Sequence, residues 1–253
     1  MPVAITRRVS RSLAQCELTW LDRQPIDIEG AIAEHDAYER CLERLGARVV
    51  SLPALEEHPD AVFVEDPAIV LDEVAVITTM GAASRRGERA SLAAALAEFR
   101  PVLHMKPPGC LEGGDVMRVG RDLYVGLSGR TDAAGIRELR RLVGDFGYRV
   151  HAVELQSCLH LKSACCYVGD GAVLLNPAWV HGNLFSGCRL IPVANSEPHA
   201  ANALRFGETV IMPSAFPLTA AVLREAGFQV ELLDMPELMK AESGVTCSSL
   251  IVK

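Results

Sequence analysis

Leu111-Glu112-Gly113-Gly114-Asp115-Val116-Met117-Arg118-Val119-Gly120-Arg121-Asp122-Leu123-Tyr124-Val125-Gly126 reads as a polar, glycine-bearing entrance, a short apolar run, a tight turn and a second apolar run. Apolar runs of strand length bounded by turn formers predict two strands, Val116–Val119 and Leu123–Gly126, joined at Gly120-Arg121-Asp122. Downstream, Thr131 or Asp132 opens a helix that Gly147 stops, and Tyr148–Val153 follows as a third strand. The unit is therefore ββαβ.

Working outward, the same order recurs. An earlier copy runs from Ala61 to Leu71 as a strand, turns at Asp72-Glu73 and returns over Val74–Thr78; Ser84 is placed to cap its helix, and a strand near Val102–Met105 closes it. A later copy opens on Leu159-His160-Leu161-Lys162-Ser163, with strands Ala164–Val168 and Ala172–Leu175 around Gly169-Asp170-Gly171. A fourth passes through Asn202 to a turn at Gly207-Glu208, strand Thr209–Met212, helix Leu218–Ala226 and strand Gln229–Leu232. The turns at 72, 121 and 170 are 49 residues apart and the next comes 37 later, a spacing typical of repeat architectures such as propellers. Leu250-Ile251-Val252 supplies one strand of a fifth copy, and the N-terminal segment supplies the rest: strand Ala4–Thr6, a helix capped by Asp27 and closed by Gly46, and strand Arg48–Leu52. The expected architecture is an α/β, five-bladed propeller of ββαβ repeats in a single domain, residues 1–253, closed by pairing of the N-terminal segment with the last repeat.

Composition narrows the function. A chain of 253 residues with 49% apolar content can bury a large core, and no apolar stretch is long enough to span a bilayer. The N-terminus turns polar at Thr6-Arg7-Arg8, too soon for a signal-peptide core. A formal net charge of −7 without any basic run argues against nucleic acid. Eight cysteines without a compact framework read as reduced thiols of a cytoplasmic protein, and the lack of CxxC or cysteine–histidine spacing argues against a zinc site.

In a radial arrangement the first strands of all units would open at one end of the axis. Their entrances carry Glu65 and Asp66, Glu112, His160, Asn202 and Cys247. Taken singly, each has an ordinary reading: a buried core thiol, a structural histidine, acids of a solvated loop or a tight turn. Taken together they offer a nucleophile, a near-neutral acid/base and carboxylates for a cation. Arg85 and Arg130 follow strands in equivalent loops, where a guanidinium fork suits a carboxylate.

These stretches resemble the dimethylarginine dimethylaminohydrolase family. The matching motifs are Phe63-Val64-Glu65-Asp66, Ser84-Arg85-Arg86-Gly87-Glu88, Leu111-Glu112-Gly113-Gly114-Asp115, Val125-Gly126-Leu127-Ser128-Gly129-Arg130-Thr131, His160-Leu161-Lys162-Ser163 and Gly244-Val245-Thr246-Cys247-Ser248, in order across nearly the whole chain. The resemblance implies the five-fold pentein propeller shared with arginine deiminases and amidinotransferases. It also implies hydrolysis of Nω-methylated arginine to citrulline and methylamine or dimethylamine, without metal or organic cofactor. It assigns Cys247 as nucleophile, His160 as general acid/base and Glu112 as its orienting acid. Asp60, Glu65 and Asp66, beside Phe63, would surround the guanidinium. Arg85 and Arg130 would hold the α-carboxylate, and backbone atoms near Leu18 and Ala241 the α-amine. The sequence departs from the family's usual Asp-Gly at Glu242-Ser243, in the loop before the nucleophile. A free-arginine deiminase and a catalytically silent amino-acid-binding protein on the same scaffold are the competing readings. A small-molecule partner is implied, and a homodimer is allowed.

Overall fold

Residues 1–253 are described by a computed structural model. Its strands are β1 (Val3–Arg7), β2 (Arg48–Leu52), β3 (Ala68–Val70), β4 (Ala75–Ile77), β5 (Val102–His104), β6 (Val116–Val119), β7 (Asp122–Leu127), β8 (Arg149–Glu154), β9 (Cys165–Gly169), β10 (Ala172–Leu175), β11 (Arg189–Pro192), β12 (Leu204–Phe206), β13 (Thr209–Pro213), β14 (Gln229–Leu233) and β15 (Leu250–Val252). They form five three-stranded sheets, β15-β1-β2, β3-β4-β5, β6-β7-β8, β9-β10-β11 and β12-β13-β14. In each, the first strand runs antiparallel to the middle one and the third parallel to it, which in four of the five is what a hairpin followed by a crossover demands. The sheet β15-β1-β2 joins the two ends of the chain, with Val3 opposite Val252 and Ile5 opposite Leu250.

Helices fill the crossovers: α1 (Ile28–Arg44), α2 (Arg89–Ala97), α3 (Ala133–Val143) and α5 (Pro217–Glu225), with two single turns, α4 (Leu161–Ala164) and α6 (Pro236–Met239). The Asp27 carboxylate caps α1 by accepting from Glu29 N, and Asp132 caps α3 through Gly135 N. Ile136, Leu139 and Val143 fall on one face of α3 and pack on Leu123, Val125 and Val150 of the sheet beneath.

Three local expectations change. The stretch Ala61–Pro67 is a series of buried turns rather than a strand, because its acids are drawn into contacts with other segments described below. Ser84 caps no helix; it lies inside a 3-10 stretch, Ala83–Glu88, that precedes α2. The blade β9-β10-β11 makes its crossover with a 3-10 turn, Gly182–Leu184, in place of a helix.

First strands of neighbouring blades touch one another: β15 meets β3, and β9 meets both β6 and β12. They line the axis, and the polar entrances that precede them meet at one end of it.

Candidate active site

Backbone contacts draw the entrances together. Glu65 N donates to Cys247 O (3.1 Å), and Gly113 N donates to Asp66 O (2.8 Å). The Gly113-Gly114 pair is needed for this approach. A Cβ on Gly113 would lie 2.0 Å from Glu65 O, and one on Gly114 only 2.6 Å from Asp66 Oδ1 and 2.7 Å from His160 Nδ1.

His160, buried, stands before the single turn α4. Its Nε2 is 2.9 Å from Glu112 Oε2 and its Nδ1 is 3.9 Å from Asp66 Oδ1. Glu112 is fully buried, and its other oxygen accepts Ala82 N (3.1 Å). Asp115 fixes the turn from below, accepting Leu161 N (2.9 Å) and Ser128 Oγ (2.6 Å). The half-buried Cys247 thiol accepts Gly244 N at 3.4 Å, the sulfur seated in the turn that precedes it.

Beside the thiol runs a second network. Lys162 Nζ reaches Glu65 Oε1 at 2.5 Å, and Thr246 Oγ1 donates to Glu65 Oε2 at 2.7 Å. Asn202 Nδ2 donates to Thr246 Oγ1 (3.0 Å) and Lys162 O (3.1 Å), while its Oδ1 accepts Thr246 N (3.1 Å). The fourth entrance thus braces the third and the fifth.

The charges set the resting protonation. Burial, then the carboxylates Glu65 and Asp66, push the Cys247 thiol up to about 12, so the site rests with a protonated sulfur. Burial alone would lower His160, but Asp66, Asp115 and Glu112 outweigh it and raise the imidazole to about 9, so it rests as imidazolium. Burial raises Glu65 against the pull of Lys162, whereas Asp66 ends below the usual carboxylate range because His160 and Arg85 outweigh its burial.

A cavity of about 290 Å³ opens onto this end of the axis. Glu65, His160, Lys162, Asn202 and Cys247 line its floor, and Trp20, Trp179, Phe216 and Met239 form much of its apolar wall. Of the residues singled out in the sequence, Glu65, His160, Asn202 and Cys247 face the cavity; Glu112 and Asp66 stand directly behind His160. Asp60 accepts Glu17 N with both oxygens (3.2 and 3.1 Å), Leu18 lies partly buried against the apolar cluster that includes Leu42, Val62 and Leu238, Phe63 and Ala241 are buried in that cluster, and Phe63 O faces Arg85.

Arg85 is held within the protein. It is 4% exposed, and every nitrogen of its guanidinium is engaged internally: Nε and Nη2 with Glu88 (2.9 Å each), Nη1 with Asp66 (2.5 Å), and Nη2 also with the carbonyls of Asp60 and Phe63. Two buried acids, Asp66 and Glu88, thus already occupy its fork. Arg130 differs: Nη1 lies 3.5 Å from Glu112 Oε2, and Nη2 reaches out to Thr19 Oγ1 at 3.3 Å.

Sequence reading missed Lys162, Thr246, Asp115 and Glu88. The available signal for Lys162 was a long cation inside an apolar strand entrance, which burial obliges to find a carboxylate. Oxygen and nitrogen atoms of Asp66, Glu112 and His160 lie within 4.8 Å of one another, so these three are the donors here that could hold a metal, in competition with the proton that the acids favour on His160.

A five-bladed α/β ring with thiol, imidazole and carboxylates at one end of its axis is the pentein architecture carrying a thiol site. Comparison with known proteins narrows this. The family described as "N,N dimethylarginine dimethylhydrolase, eukaryotic" matches residues 16–177. The N(G),N(G)-dimethylarginine dimethylaminohydrolase of Streptomyces coelicolor is 38% identical over 249 residues (98% of this chain, 95% of that one), and the Pseudomonas aeruginosa protein of the same name is 35% identical over 248 residues (97% of each). A cysteine-to-serine mutant of the Pseudomonas aeruginosa protein, solved with citrulline, superposes with a TM-score of 0.94 at 34% identity, covering 98% of both chains. The chain belongs to the dimethylarginine dimethylaminohydrolase family, hydrolases that act on amidine C–N bonds.

Proposed function

We propose that this chain hydrolyses Nω-methylated L-arginine to L-citrulline and methylamine or dimethylamine, with Cys247 as the nucleophile. One observation carries the reading: a single cavity has on its floor a thiol, an acid-backed imidazole and a buried carboxylate that can receive a cation. Relatives over the whole length bear the name of that reaction, and one was solved with its product.

Glu65 receives the guanidinium. Its carboxylate already accepts from Lys162 and Thr246, and its remaining lone pairs are free for the substrate's N–H groups. The arriving cation stabilises a negative sulfur that Glu65 and Asp66 otherwise disfavour, so the thiol ionises when substrate is present and its proton passes to solvent water. The thiolate adds to the guanidinium carbon. His160, protonated at rest, gives its proton to the departing amine as the C–N bond breaks, leaving a thiouronium on sulfur. Neutral His160 then takes a proton from the water that attacks the same carbon; as the C–S bond breaks the new hydroxyl loses its proton to solvent, and neutral citrulline and the Cys247 thiolate separate, leaving His160 protonated again. Glu112 holds the ring through Nε2 in both steps.

Arg130 is the cation proposed for the α-carboxylate, and the backbone carbonyls near Leu18 and Ala241, with Asp60, the acceptors for the α-amine. All eight cysteines are unpaired, which suits a reducing, cytoplasmic setting. The test is a citrulline assay with asymmetric dimethylarginine, monomethylarginine and arginine side by side. The reading expects turnover of the methylated substrates; turnover of arginine alone would replace it with a deiminase.

A further inference from the structure

The segment Glu17–Asp22 crosses the mouth of the cavity with little apolar hold. Trp20 and Leu21 line the cavity and are nevertheless 56% and 42% exposed, and every residue from Thr19 to Pro25 is exposed. A stretch with so little burial frays unless polar contacts fix it. Here one carboxylate does most of the fixing. Glu242 Oε1 accepts Thr19 N at 3.0 Å, Trp20 N at 2.5 Å and Leu21 N at 2.6 Å, and Oε2 accepts Thr19 N at 3.0 Å. Three successive backbone N–H groups converging on one anion form a nest, and hydrogen bonds to an ionised acceptor are the strong kind.

The backbone of Glu242 is arranged for this contact. Its φ is +56°, the left-handed region that a residue with a Cβ occupies only when its surroundings hold it there. Two residues on, Gly244 N–H contacts the Cys247 sulfur. The turn that grips the segment at one end therefore seats the thiol at the other. The second tie on Thr19–Leu21, Arg130 Nη2 to Thr19 Oγ1 at 3.3 Å, is longer and single, and Glu17 before them is held separately by Asp60 and Ser84.

We infer that Glu242 is a latch, a positioning residue that holds Thr19–Leu21 closed over the cavity during the reaction and releases them for substrate entry and product exit. This deepens the hydrolase reading and rests on it for the kinetic part alone. With the latch formed, the apolar faces of Trp20 and Leu21 exclude water from the thiol; with it broken, the segment is free.

Amide hydrogen exchange of residues 17–24 in the empty full-length enzyme, with tryptic cleavage after Arg23, tests the latch without reference to any substrate. Glu242→Ala and Glu242→Gly should each accelerate exchange at residues 19–21 by about tenfold or more, the change that losing a charge-assisted hydrogen bond makes. Glu242→Gln, keeping one acceptor oxygen, should fall between, while exchange in the core strands β7 and β10 stays at the wild-type rate. With dimethylarginine, KM should rise more than kcat changes. Unchanged exchange at 19–21 in the alanine variant overturns the inference. So does slow exchange in the glycine variant with fast exchange in the alanine variant, because that pattern assigns the effect to backbone strain. Absence of citrulline from wild type and variants alike would sink the hydrolase reading, a result separate from the exchange result.

Discussion

Arg85 and Arg130 occupy corresponding loops of successive repeats, yet the protein uses them differently. Around Arg85 the charges close on themselves: Asp66 and Glu88 take its fork, the backbone takes the remainder, and the group is 4% exposed. Around Arg130 and Cys247 pairing is incomplete. Arg130 reaches Glu112 only at 3.5 Å, and burial among Glu65 and Asp66 leaves the thiol protonated. A charge whose partners are all internal builds the wall. One whose partners are too few or badly matched is left for a ligand to complete.

Substitutions at the mouth should therefore cost turnover without folding, and substitutions in the wall should cost folding. The largest effect expected is at the nucleophile: Cys247→Ser should lower kcat by about 10⁴-fold or more while dimethylarginine still binds, measured by citrulline release and by calorimetry. Next comes the wall. Arg85→Met leaves Asp66 and Glu88 buried without their cation and should destabilise by about 3–5 kcal/mol in urea denaturation. Arg130→Gln should unfold like wild type and instead raise KM about tenfold, as for one lost charge-assisted contact at a binding site. A destabilised Arg130 variant, or a normally stable Arg85 variant with raised KM, would reverse the assignment of the two arginines.

Smaller effects follow protons. Glu112→Gln removes one of the three carboxylates that raise His160 and should move the alkaline limb of the kcat/KM profile down by about one pH unit. Stability should carry the same signature. His160 sits near 9 in the folded state against an ordinary value of 6.5, so its contribution is complete below pH 6.5 and is lost as pH rises towards and through 9. The buried Cys247 thiol, raised to about 12, acts in the same direction once pH passes the ordinary thiol value of 9.0. Urea midpoints measured from pH 6 to 10 should fall across that interval in wild type, and less steeply in His160→Asn.

How far the sequence disclosed this depends on the kind of contact. The blades were legible because a strand–turn–strand–helix–strand order is written locally, in apolar runs and in glycines such as Gly120 and Gly207 that take positive φ at the turns. The meeting of the entrances follows from the repeat, so Cys247, His160, Glu112 and Glu65 are legible in the sequence. What sequence could not disclose was how charges in different entrances pair. Arg85 looks as available as Arg130 until Asp66, 19 positions away, and Glu88 are seen to close on it. Lys162 passes for an ordinary surface cation until Glu65, 97 positions away, takes its ammonium. The span Ala61–Pro67 reads as a strand by composition, but its acids bind four other segments, at Arg85, Gly114, Lys162 and Thr246, and no ladder forms. Glu242 was visible only as a departure from the usual family residues; the contact that explains it lies 223 positions away at Thr19.

Covalent catalysis through the Cys247 sulfur leaves a chemical trace. Acid quenching during turnover of asymmetric dimethylarginine, followed by mass spectrometry of the peptide that holds Cys247, tests it most directly. A thiouronium adduct on Cys247 is expected, formed and lost at rates compatible with citrulline release and absent from Cys247→Ser. Steady citrulline release with Cys247 unmodified, or undiminished turnover by Cys247→Ser, would contradict it.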